Sequence, residues 1–374
     1  MSTKQTLNTS KRMVIKIGST LLVDPESGLV HRKWLEALAE DIARCQKRSQ
    51  QVIIVSSGAI AVGRRHLKLK NGKLKLEESQ AAAATGMIRL AHAYQEVLGH
   101  FDMTVAQVLM TLDDSENRRR YLNARNTLET LLKLGAVPLI NENDTIATDE
   151  IRFGDNDRLA ARVAAMTSAD TLVLLSNIDG LYDRDPRIFD NAKLVPEIHG
   201  DIPDEIQNMA GTSISYDGSG GMVTKLEAAR IALSAGSRMV ILDGSASHPL
   251  RAIEKGVACT WFLPDANPKT ARKRWIAGAL KPSGEIIIDE GAFKALKSGN
   301  SLLPAGVTNV QGEFERGDAI IVRCANGREI GRGISAYSAD DARRIMGNKT
   351  SEIETILGYR GRNEMVHRDD LALN

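Results

Sequence analysis

The chain has 374 residues, more than one ordinary domain needs, and its hydrophobic content of 43% is typical of a globular protein and excludes a disordered one. Its formal net charge is +2 and aromatic residues make up 4%, which disfavours a nucleic acid or a membrane surface as the main partner. The stretch from Met1 to Arg12 is polar, and no segment approaches the roughly eighteen apolar residues of a membrane span. We therefore expect neither a signal peptide nor a membrane helix.

Five short aliphatic and β-branched runs predict buried strands. Each run is apolar throughout instead of alternating with polar residues, which is typical of parallel strands that are covered on both faces. In chain order the runs are Met13–Ile17, Val52–Val55, Val137–Ile140, Leu172–Leu175 and Met239–Leu242.

Segments with helical spacing lie between these runs. Two sets of apolar residues each share one helix face: Leu35, Leu38, Ile42 and Cys45, and then Leu128, Leu131 and Leu132. Two further helices are predicted over Asn156–Thr167 and Thr224–Ala235. Alternating strands and helices predict an α/β fold, a three-layer αβα sandwich with a mainly parallel sheet. Ligands bind beyond the carboxyl ends of the strands in such sheets, so the loops after Ile17, Val55, Ile140 and Leu175 are the candidates for chemistry.

The alternation of predicted strands and helices ends near Pro264–Thr270, a segment whose composition is typical of a linker. Beyond it come short strands with glycine-rich turns and then a helix, which predict a smaller β-rich domain. These elements are Glu285–Ile288, Ala319–Val322, Ile330–Ile334 and the helix Ser338–Met346. The predicted organisation is a catalytic domain over 1–263, a linker over 264–271 and a second domain over 272–374.

The three cysteines favour a reducing compartment. Cys45, Cys259 and Cys324 lie far apart and form no CxxC pair, so neither a disulfide framework nor a zinc site is expected. Together with the lack of an apolar leader, this predicts a cytoplasmic protein.

Two loops that follow predicted strands have residues suited to phosphate or anion binding. In Lys16–Ser19 a lysine can neutralise phosphate oxygens and Gly18 permits close backbone approach, although a surface lysine beside an ordinary turn has the same pattern. In Ser56–Ile60 small residues at a strand-to-helix junction direct N–H groups at an anion, although a tight structural turn would look alike. Neither a GxxxxGK[ST] motif nor a GxGxxG motif after a strand supports either interpretation.

Two clusters of acids and amides follow further along the chain. Asn141–Asp144 comes after a strand, and Gly154–Asp157 precedes a helix. Asp and Asn are ordinary turn and N-cap residues, so part of this pattern could be capping. The density of the two clusters favours a site for a substrate with an ammonium group and for a phosphate that carries a cation.

A glycine-rich loop leads into the last predicted helix of the first domain. Its glycines in Gly218–Gly221 permit close backbone approach, and Lys225 lies just inside the helix start. A lysine there opposes the helix dipole unless an anion is bound nearby. A merely flexible loop is the alternative.

Taken in order, these segments resemble the amino-acid kinase family, in which two lysines clamp a transferring phosphoryl group at a glycine-lined sheet edge. The match is to the members that phosphorylate the γ-carboxylate of L-glutamate, and the C-terminal part is similar to the PUA domain that many of them carry. The motifs that carry the resemblance are Val14–Ser19, Ser57–Ile60, Tyr121–Arg125, Ile140–Asp144, Gly154–Asp157, Gly180–Tyr182, Asp185–Arg187, Gly220–Met222 with Lys225, and Arg272–Trp275 through Ile356–Tyr359. The chain departs from the usual pattern at Ser176-Asn177, where an Asp usually follows the hydroxyl residue, and at Gly86-Met87, where a Gln is usual.

The resemblance implies a role for each candidate residue. Lys16 and Lys225 are expected to clamp the phosphoryl group, with Asp157 holding the two lysines. The expected glutamate-binding residues are Ser57, Gly58, Ala59, Asp144, Asp155 and Asn156. The expected ATP-binding residues are Lys16, Ser176, Asn177, Ser219, Gly220, Gly221, Met222, Val223, Thr224 and Lys225.

The resemblance also implies the ligands and partners. ATP is the cosubstrate, Mg2+ bridges the nucleotide phosphates without a dedicated metal site on the chain, and the product begins proline biosynthesis. Feedback inhibition by proline and assembly into a homodimer or homotetramer are expected, and a nucleic acid is not expected despite the PUA-like domain.

Three alternatives stay open. Acetylglutamate, aspartate, carbamate or uridylate could be the acceptor, although the Asn-Glu-Asn-Asp and Gly-Asp-Asn-Asp clusters favour free glutamate. An RNA-binding or RNA-modifying protein would use Arg272–Arg274 and Arg343–Arg344 against phosphates, although such charge runs are ordinarily solvated faces and acids lie nearby. A kinase-like scaffold without catalysis is disfavoured because Lys16, Asp157 and Lys225 are all present.

Overall fold

The structure is a computed structural model that describes residues 7–24, 26–70, 72, 74–146, 155–186, 188–203, 206, 221–278 and 281–374. The chain divides into two compact units. The first consists of Met1–Glu116 and Asn123–Pro268, and the second of Asn117–Leu122 and Lys269–Asn374. No helix of the described ranges is both long enough and apolar enough to span a bilayer.

The first unit contains an eight-stranded sheet and its helices. The strands are β1 Arg12–Ile17, β2 Gln51–Ser56, β3 Val105–Met110, β4 Val137–Glu142, β5 Thr171–Ser176, β6 Glu197–His199, β7 Arg238–Asp243 and β8 Cys259–Leu263. The helices are α1 Ser19–Leu22, α2 Arg32–Lys47, α3 Ala59–His66, α4 Leu76–Gly99, α5 Leu112–Glu116, α6 Arg118–Lys133, α7 Asp155–Thr167, α8 Met222–Ser234 and α9 Pro249–Glu254. The residues of α6 up to Leu122 belong to the second unit.

The sheet has the order β3-β4-β2-β1-β5-β7-β8-β6 and is parallel from β3 to β7. Only the far edge departs from this direction, because β8 runs antiparallel to β7 and β6 pairs parallel with β8. The central strands are apolar on both faces: every residue of β5 is buried, as are all residues of β1 and β2 except the first. The predicted mainly parallel sheet is confirmed.

All five predicted strands of this unit are confirmed, each within one residue or two of its observed limits. The predicted apolar face at Leu35, Leu38, Ile42 and Cys45 lies on α2, where all four side chains are fully buried against the sheet. Three strands were missed. In β3, an edge strand, only Met110 is buried; β6 has three residues, and β8, just before the predicted linker, has five.

The second unit is built on a five-stranded sheet with the order β10-β9-β11-β12-β13, in which only β9 and β11 are parallel. Its strands are β9 Gly284–Ile288, β10 Val307–Gly312, β11 Ala319–Cys324, β12 Glu329–Ile334 and β13 Leu371–Leu373. Its helices are α10 Pro268–Gly278, α11 Glu290–Lys297, α12 Ala339–Ile345 and α13 Ile353–Leu357. Short 3-10 turns lie at Pro304–Gly306, Thr350–Glu352 and Arg368–Asp370. The three predicted strands and the predicted helix are confirmed. Helix α10 begins at Pro268, so the end of the segment predicted as a linker is helical.

Candidate functional site

The carboxyl ends of the central strands meet at one edge of the sheet. Ile17 at the end of β1 is in register with Ser56 of β2 on one side and with Leu175 of β5 on the other. Backbone hydrogen bonds extend this alignment past the strands, because the N–H of Gly18 donates to the Leu175 carbonyl at 3.1 Å and that of Ser57 donates to the Ile17 carbonyl at 3.3 Å. The loops predicted to carry the chemistry are therefore neighbours.

Two lysines from distant parts of the chain meet at one carboxylate in this region. The Nζ of Lys16, on β1, lies 2.6 Å from Oδ1 of Asp157, on α7. The Nζ of Lys225, on α8, donates a hydrogen bond of 3.2 Å to Oδ2 of the same carboxylate. The exposed fractions of the three residues are 9%, 1% and 6%, so the triad is buried.

Burial and the attraction between opposite charges shift the pKa values of Asp157 and Lys225 in opposite directions. Burial alone would raise the pKa of Asp157, but the positive charges of Lys16 and Lys225 outweigh burial and hold that pKa below its ordinary value. Burial lowers the pKa of Lys225; Asp157 works against this shift, and the positive charge of Lys16 adds to it. With all three groups ionised, the triad carries one net positive charge inside the protein and is suited to an anionic ligand.

The start of α8 sets the position of Lys225. Gly221 is the N-cap residue with extended backbone, and Lys225 is the fourth residue of the helix. The hydroxyl of Thr224 donates to the carbonyl of Gly221 at 2.9 Å and lies 3.4 Å from Oδ2 of Asp157, so it connects the helix start to the triad. Met222 and Val223 belong to the same turn, whereas the predicted ATP-binding residues Ser219 and Gly220 lie outside the described residues.

The predicted glutamate-binding residues lie beside the triad. The Nδ2 of Asn156, next to Asp157 on α7, donates to the hydroxyl of Ser57 at 2.8 Å and to the carbonyl of Ser56 at 3.3 Å. Its Oδ1 is buried and has no hydrogen-bond partner among the described residues. A buried amide oxygen without a partner is costly unless a ligand supplies a donor, so this atom marks a place for a donor such as an ammonium group.

The turn that carries Ser57 depends on glycine. Gly58 has φ of +103°, a conformation that other residues rarely adopt, and a Cβ there would lie 2.9 Å from Cγ2 of Val23. It serves as the N-cap of α3, so the backbone of Ala59 begins that helix. The pattern of small residues therefore reflects both the turn and the nearby site.

The remaining predicted site residues lie at or just beyond the ends of strands β4 and β5 or at the start of α7. Asp144 is buried just beyond β4, and Asp155 begins α7, although the position of its side chain is not described. Ser176 ends β5, and its hydroxyl lies 3.4 Å from Oδ1 of the exposed Asn177. The carbonyl of Ser176 accepts a hydrogen bond of 2.8 Å from the N–H of Gly244, which fixes this loop to the end of β7.

Two residues of the site were not predicted individually. Asn141 is buried, and its Oδ1 accepts from the N–H of Glu142 at 2.9 Å and lies 3.5 Å from Nδ2 of Asn156. Its position in a predicted cluster of amides was a usable signal. Tyr94 lies in the middle of α4 and contacts Ser56 through its hydroxyl, and no local sequence pattern marks it.

The second unit has fewer groups suited to ligand chemistry. Within the described residues, no three His, Cys, Asp or Glu side chains are grouped to hold a metal ion. Arg272, a candidate for phosphate contact, has a side chain that is only 9% exposed, and it pairs with Asp370 at 2.5 Å. Arg343 pairs with Glu313 at 2.9 Å and with Asp340 at 3.0 Å. These ion pairs weaken the hypothesis that the two arginines bind nucleic-acid phosphates.

Comparison with known proteins gives matches along almost the whole chain. A model described as the amino acid kinase family matches residues 11–243, and a model of the PUA domain matches residues 284–357. Glutamate 5-kinase of Paramagnetospirillum magneticum is 64% identical over 367 residues, which cover 98% of this chain and 99% of the relative. Glutamate 5-kinase of Bradyrhizobium diazoefficiens is 57% identical over 367 residues, 98% of each chain. The crystal structure of a UMP kinase from Bacillus anthracis aligns with a TM-score of 0.49 at 17% identity, over 69% of this chain and 97% of that one.

Proposed function

The chain belongs to the amino acid kinase family, and from this membership we propose that it transfers the γ-phosphoryl group of ATP to the γ-carboxylate of L-glutamate. The products are γ-glutamyl phosphate and ADP, and the reaction opens proline biosynthesis. The observation that carries the proposal is the buried triad of Lys16, Asp157 and Lys225, which leaves one net positive charge at the edge of the sheet. Two relatives at 57–64% identity over nearly the full chain are named for this activity.

The chemistry needs charge stabilisation more than proton transfer. A glutamate side chain is already ionised near neutral pH, so no general base is required. One of its oxygens forms a bond to the γ-phosphorus, the bond from that phosphorus to the β–γ bridging oxygen breaks, and ADP leaves with the electron pair. The barrier comes from bringing two anions together and from the charge on the transferring group, and Lys16 and Lys225 are positioned to offset both.

Asp157 has a positioning role in this proposal. Its two oxygens each engage one lysine, which keeps two like charges close together despite their repulsion. A carboxylate with its pKa held below the ordinary value stays ionised throughout the physiological range. Both ammonium groups are therefore preorganised before ATP binds.

The amino-acid end of glutamate is proposed to bind beside α7. The Oδ1 of Asn156, which no described residue engages, would accept a hydrogen bond from the substrate ammonium group, and Asp144 and Asp155 would add negative charge. The turn of Ser57, Gly58 and Ala59, at the start of α3, would cradle the substrate carboxylate, with the N–H groups of Gly58 and Ala59 as donors.

The nucleotide is proposed to lie along the start of α8 and the end of β5. Its binding residues would be Ser176, Asn177 and the stretch from Ser219 to Lys225. Both oxygens of Asp157 are engaged by lysines, and no group of three metal-binding side chains occurs in the described residues. These residues fit a magnesium ion held mainly by the nucleotide phosphates and water, and an ion bound in this way neutralises phosphate charge.

The same proposal includes properties that follow from the family. Catalysis would be confined to residues 1–263, with 264–271 as linker and 272–374 as a separate domain. Proline would inhibit, and the enzyme would act as a homodimer or homotetramer in the cytoplasm, where ATP and glutamate are supplied.

A substrate panel tests the proposal. ADP release is coupled to an indicator reaction in the presence of Mg·ATP and one acceptor at a time: L-glutamate, N-acetylglutamate, L-aspartate, carbamate or UMP. We expect turnover with L-glutamate, formation of the hydroxamate when hydroxylamine traps the acyl phosphate, and little turnover with the other acceptors. Preference for another acceptor would overturn the choice of substrate, and failure of every acceptor would overturn the assignment as a kinase.

A further inference from the structure

A buried tyrosine lies directly behind the turn that carries Ser57. Tyr94 is in the middle of α4 and is 0% exposed, and its hydroxyl lies 3.1 Å from the hydroxyl of Ser56, at the end of β2. The other fully or nearly buried side chains of α4, such as Leu90, Val97 and Leu98, are apolar. A phenol placed among them brings a polar group into the core at one defined point.

The direction of this hydrogen bond depends on which of the two hydroxyl groups has a proton available to donate. The carbonyl of Ser57, 3.2 Å from the hydroxyl of Ser56, can only accept, so both contacts of Ser56 are hydrogen bonds at once only when Tyr94 donates to it. Burial raises the pKa of Tyr94, which keeps the phenol protonated and able to donate at every working pH. Tyr94 therefore acts on Ser56 as a fixed donor.

The Ser56–Ser57 segment in turn holds Asn156. The Nδ2 of Asn156 donates both to the carbonyl of Ser56 and to the hydroxyl of Ser57. Those two bonds fix the plane of the amide and so the direction of its unpartnered Oδ1. A continuous path of hydrogen bonds thus runs from the core at Tyr94 to the atom proposed to receive the substrate ammonium group.

We propose that Tyr94 is a positioning residue for L-glutamate: its hydroxyl fixes the Ser56–Ser57 turn and thereby aims the side-chain amide of Asn156 at the amino-acid substrate. The inference deepens the proposed function and rests on it. The hydroxyl does not touch substrate in this account. Its effect belongs to glutamate binding and not to ATP binding, because the path ends at Asn156 and does not pass through the lysine triad.

The test is the Tyr94→Phe variant of the full chain, which removes one oxygen and leaves the ring in the core. Steady-state constants are measured for both substrates by coupled ADP release. We expect the KM for L-glutamate to rise roughly 3- to 10-fold, the effect of losing one hydrogen bond of ordinary strength. The KM for ATP and the kcat at saturating glutamate stay within about twofold, as expected when binding of one substrate alone is weakened.

Tyr337→Phe is the matched control. Tyr337 is also buried, and its hydroxyl donates to the carbonyl of Arg362 in the second unit, so the variant loses the same kind of hydrogen bond. Both variants are expected to lower Tm, but only Tyr94→Phe changes the KM for glutamate. A Tyr94→Phe enzyme with wild-type KM for glutamate, or with KM for ATP raised equally, would overturn the inference.

Ser56→Ala gives a second, independent test and covers the case in which Tyr94→Phe does not fold. It removes the acceptor of the same bond, so its KM for glutamate should rise as well, and adding Tyr94→Phe to it should change KM by less than about twofold. Additive increases would contradict the shared path. Because the wild-type enzyme is assayed first, a wrong substrate assignment appears there and is distinguishable from failure of the inference.

Discussion

Lys225 donates a hydrogen bond of 3.2 Å to Asp157, although 68 positions separate the two residues in the sequence and both are buried. The second oxygen of Asp157 is engaged by Lys16 at 2.6 Å. Buried charges are tolerated only when they are paired, and here two cations share one anion. The excess positive charge is balanced when an anionic ligand binds, which is the physical basis for assigning phosphoryl transfer to this place.

Replacing Asp157 by Asn should damage both stability and activity. The change removes the carboxylate that two buried ammonium groups share, so we expect the free energy of unfolding to fall by about 3–5 kcal/mol. The kcat should fall on the order of 100-fold or more because the lysines are no longer held for the transferring group. Urea unfolding and coupled ADP release measure the two effects.

The control for this variant is Glu227→Gln. Glu227 is on α8 and lies 3.5 Å from Arg158, and its side chain is 39% exposed. An exposed pair contributes at most about 1 kcal/mol, so the control should be nearly neutral. Equal loss of stability in both variants would contradict a special role for Asp157.

The value of kcat/KM for ATP should fall at alkaline pH because Lys225 loses its proton. Burial lowers the pKa of Lys225, and the ammonium form is the one that stabilises phosphate charge. We therefore expect kcat/KM for ATP to fall at high pH with an apparent pKa below the ordinary lysine value of about 10.4. A fall with an apparent pKa at or above that value would contradict the assignment.

The lowered pKa of Lys225 also makes the free energy of unfolding depend on pH in a defined direction. Between the lower folded pKa of Lys225 and its unfolded value near 10.4, the unfolded chain binds more protons. The contribution of Lys225 to stability therefore rises with pH across that window, while activity falls. For Asp157, whose folded pKa is also lowered, the contribution is present above about 3.9 and is lost as pH falls through the folded pKa.

Close packing of α3 against α4 should make one glycine irreplaceable. A Cβ on Gly86 would overlap the carbonyl oxygen of Ala59, the first residue of α3 and part of the turn proposed to bind glutamate. We expect Gly86→Ala to lower the free energy of unfolding by about 2 kcal/mol or more and to raise the KM for glutamate. Thermal unfolding and steady-state kinetics measure both.

Gly99→Ala on the same helix serves as the comparison. Nothing lies within 4 Å of a Cβ added at Gly99. Because alanine is the better helix former, this variant should be neutral or more stable by up to about 1 kcal/mol. If Gly86→Ala behaves like Gly99→Ala, the packing argument is wrong.

The sequence predicted the elements that are apolar on every side. β1, β2, β4, β5 and β7 are buried on both faces, so their runs of aliphatic residues are unambiguous. The candidate loops after β1, β2, β4 and β5 follow from the same fact, because the loops at the ends of parallel strands are known once the strands are known. The roles of the individual site residues came from the family resemblance. Edge strand β3 was missed because most of its residues are partly or fully exposed and its composition is mixed.

Long-range pairings could not be predicted from local pattern. The contact of Tyr94 with Ser56 joins the middle of a helix to the end of a strand and depends on how α4 packs over the sheet. The partly buried pair of Arg272 and Asp370 joins residues 98 positions apart, and charge runs alone suggested a solvated face at Arg272. The convergence of Lys16 and Lys225 on Asp157 entered only through the family resemblance.

Measuring phosphoryl transfer after removal of either lysine tests whether Lys16 and Lys225 stabilise the transferring group. Lys16→Ala, Lys225→Ala and the exposed control Lys133→Ala are assayed for glutamate-dependent ADP release and hydroxamate formation, and circular dichroism checks the fold. We predict that each triad variant stays folded and loses activity by about 1000-fold or more, equivalent to roughly 4 kcal/mol of barrier, while the control keeps wild-type turnover. Undiminished turnover in a folded Lys225→Ala or Lys16→Ala enzyme would contradict the account.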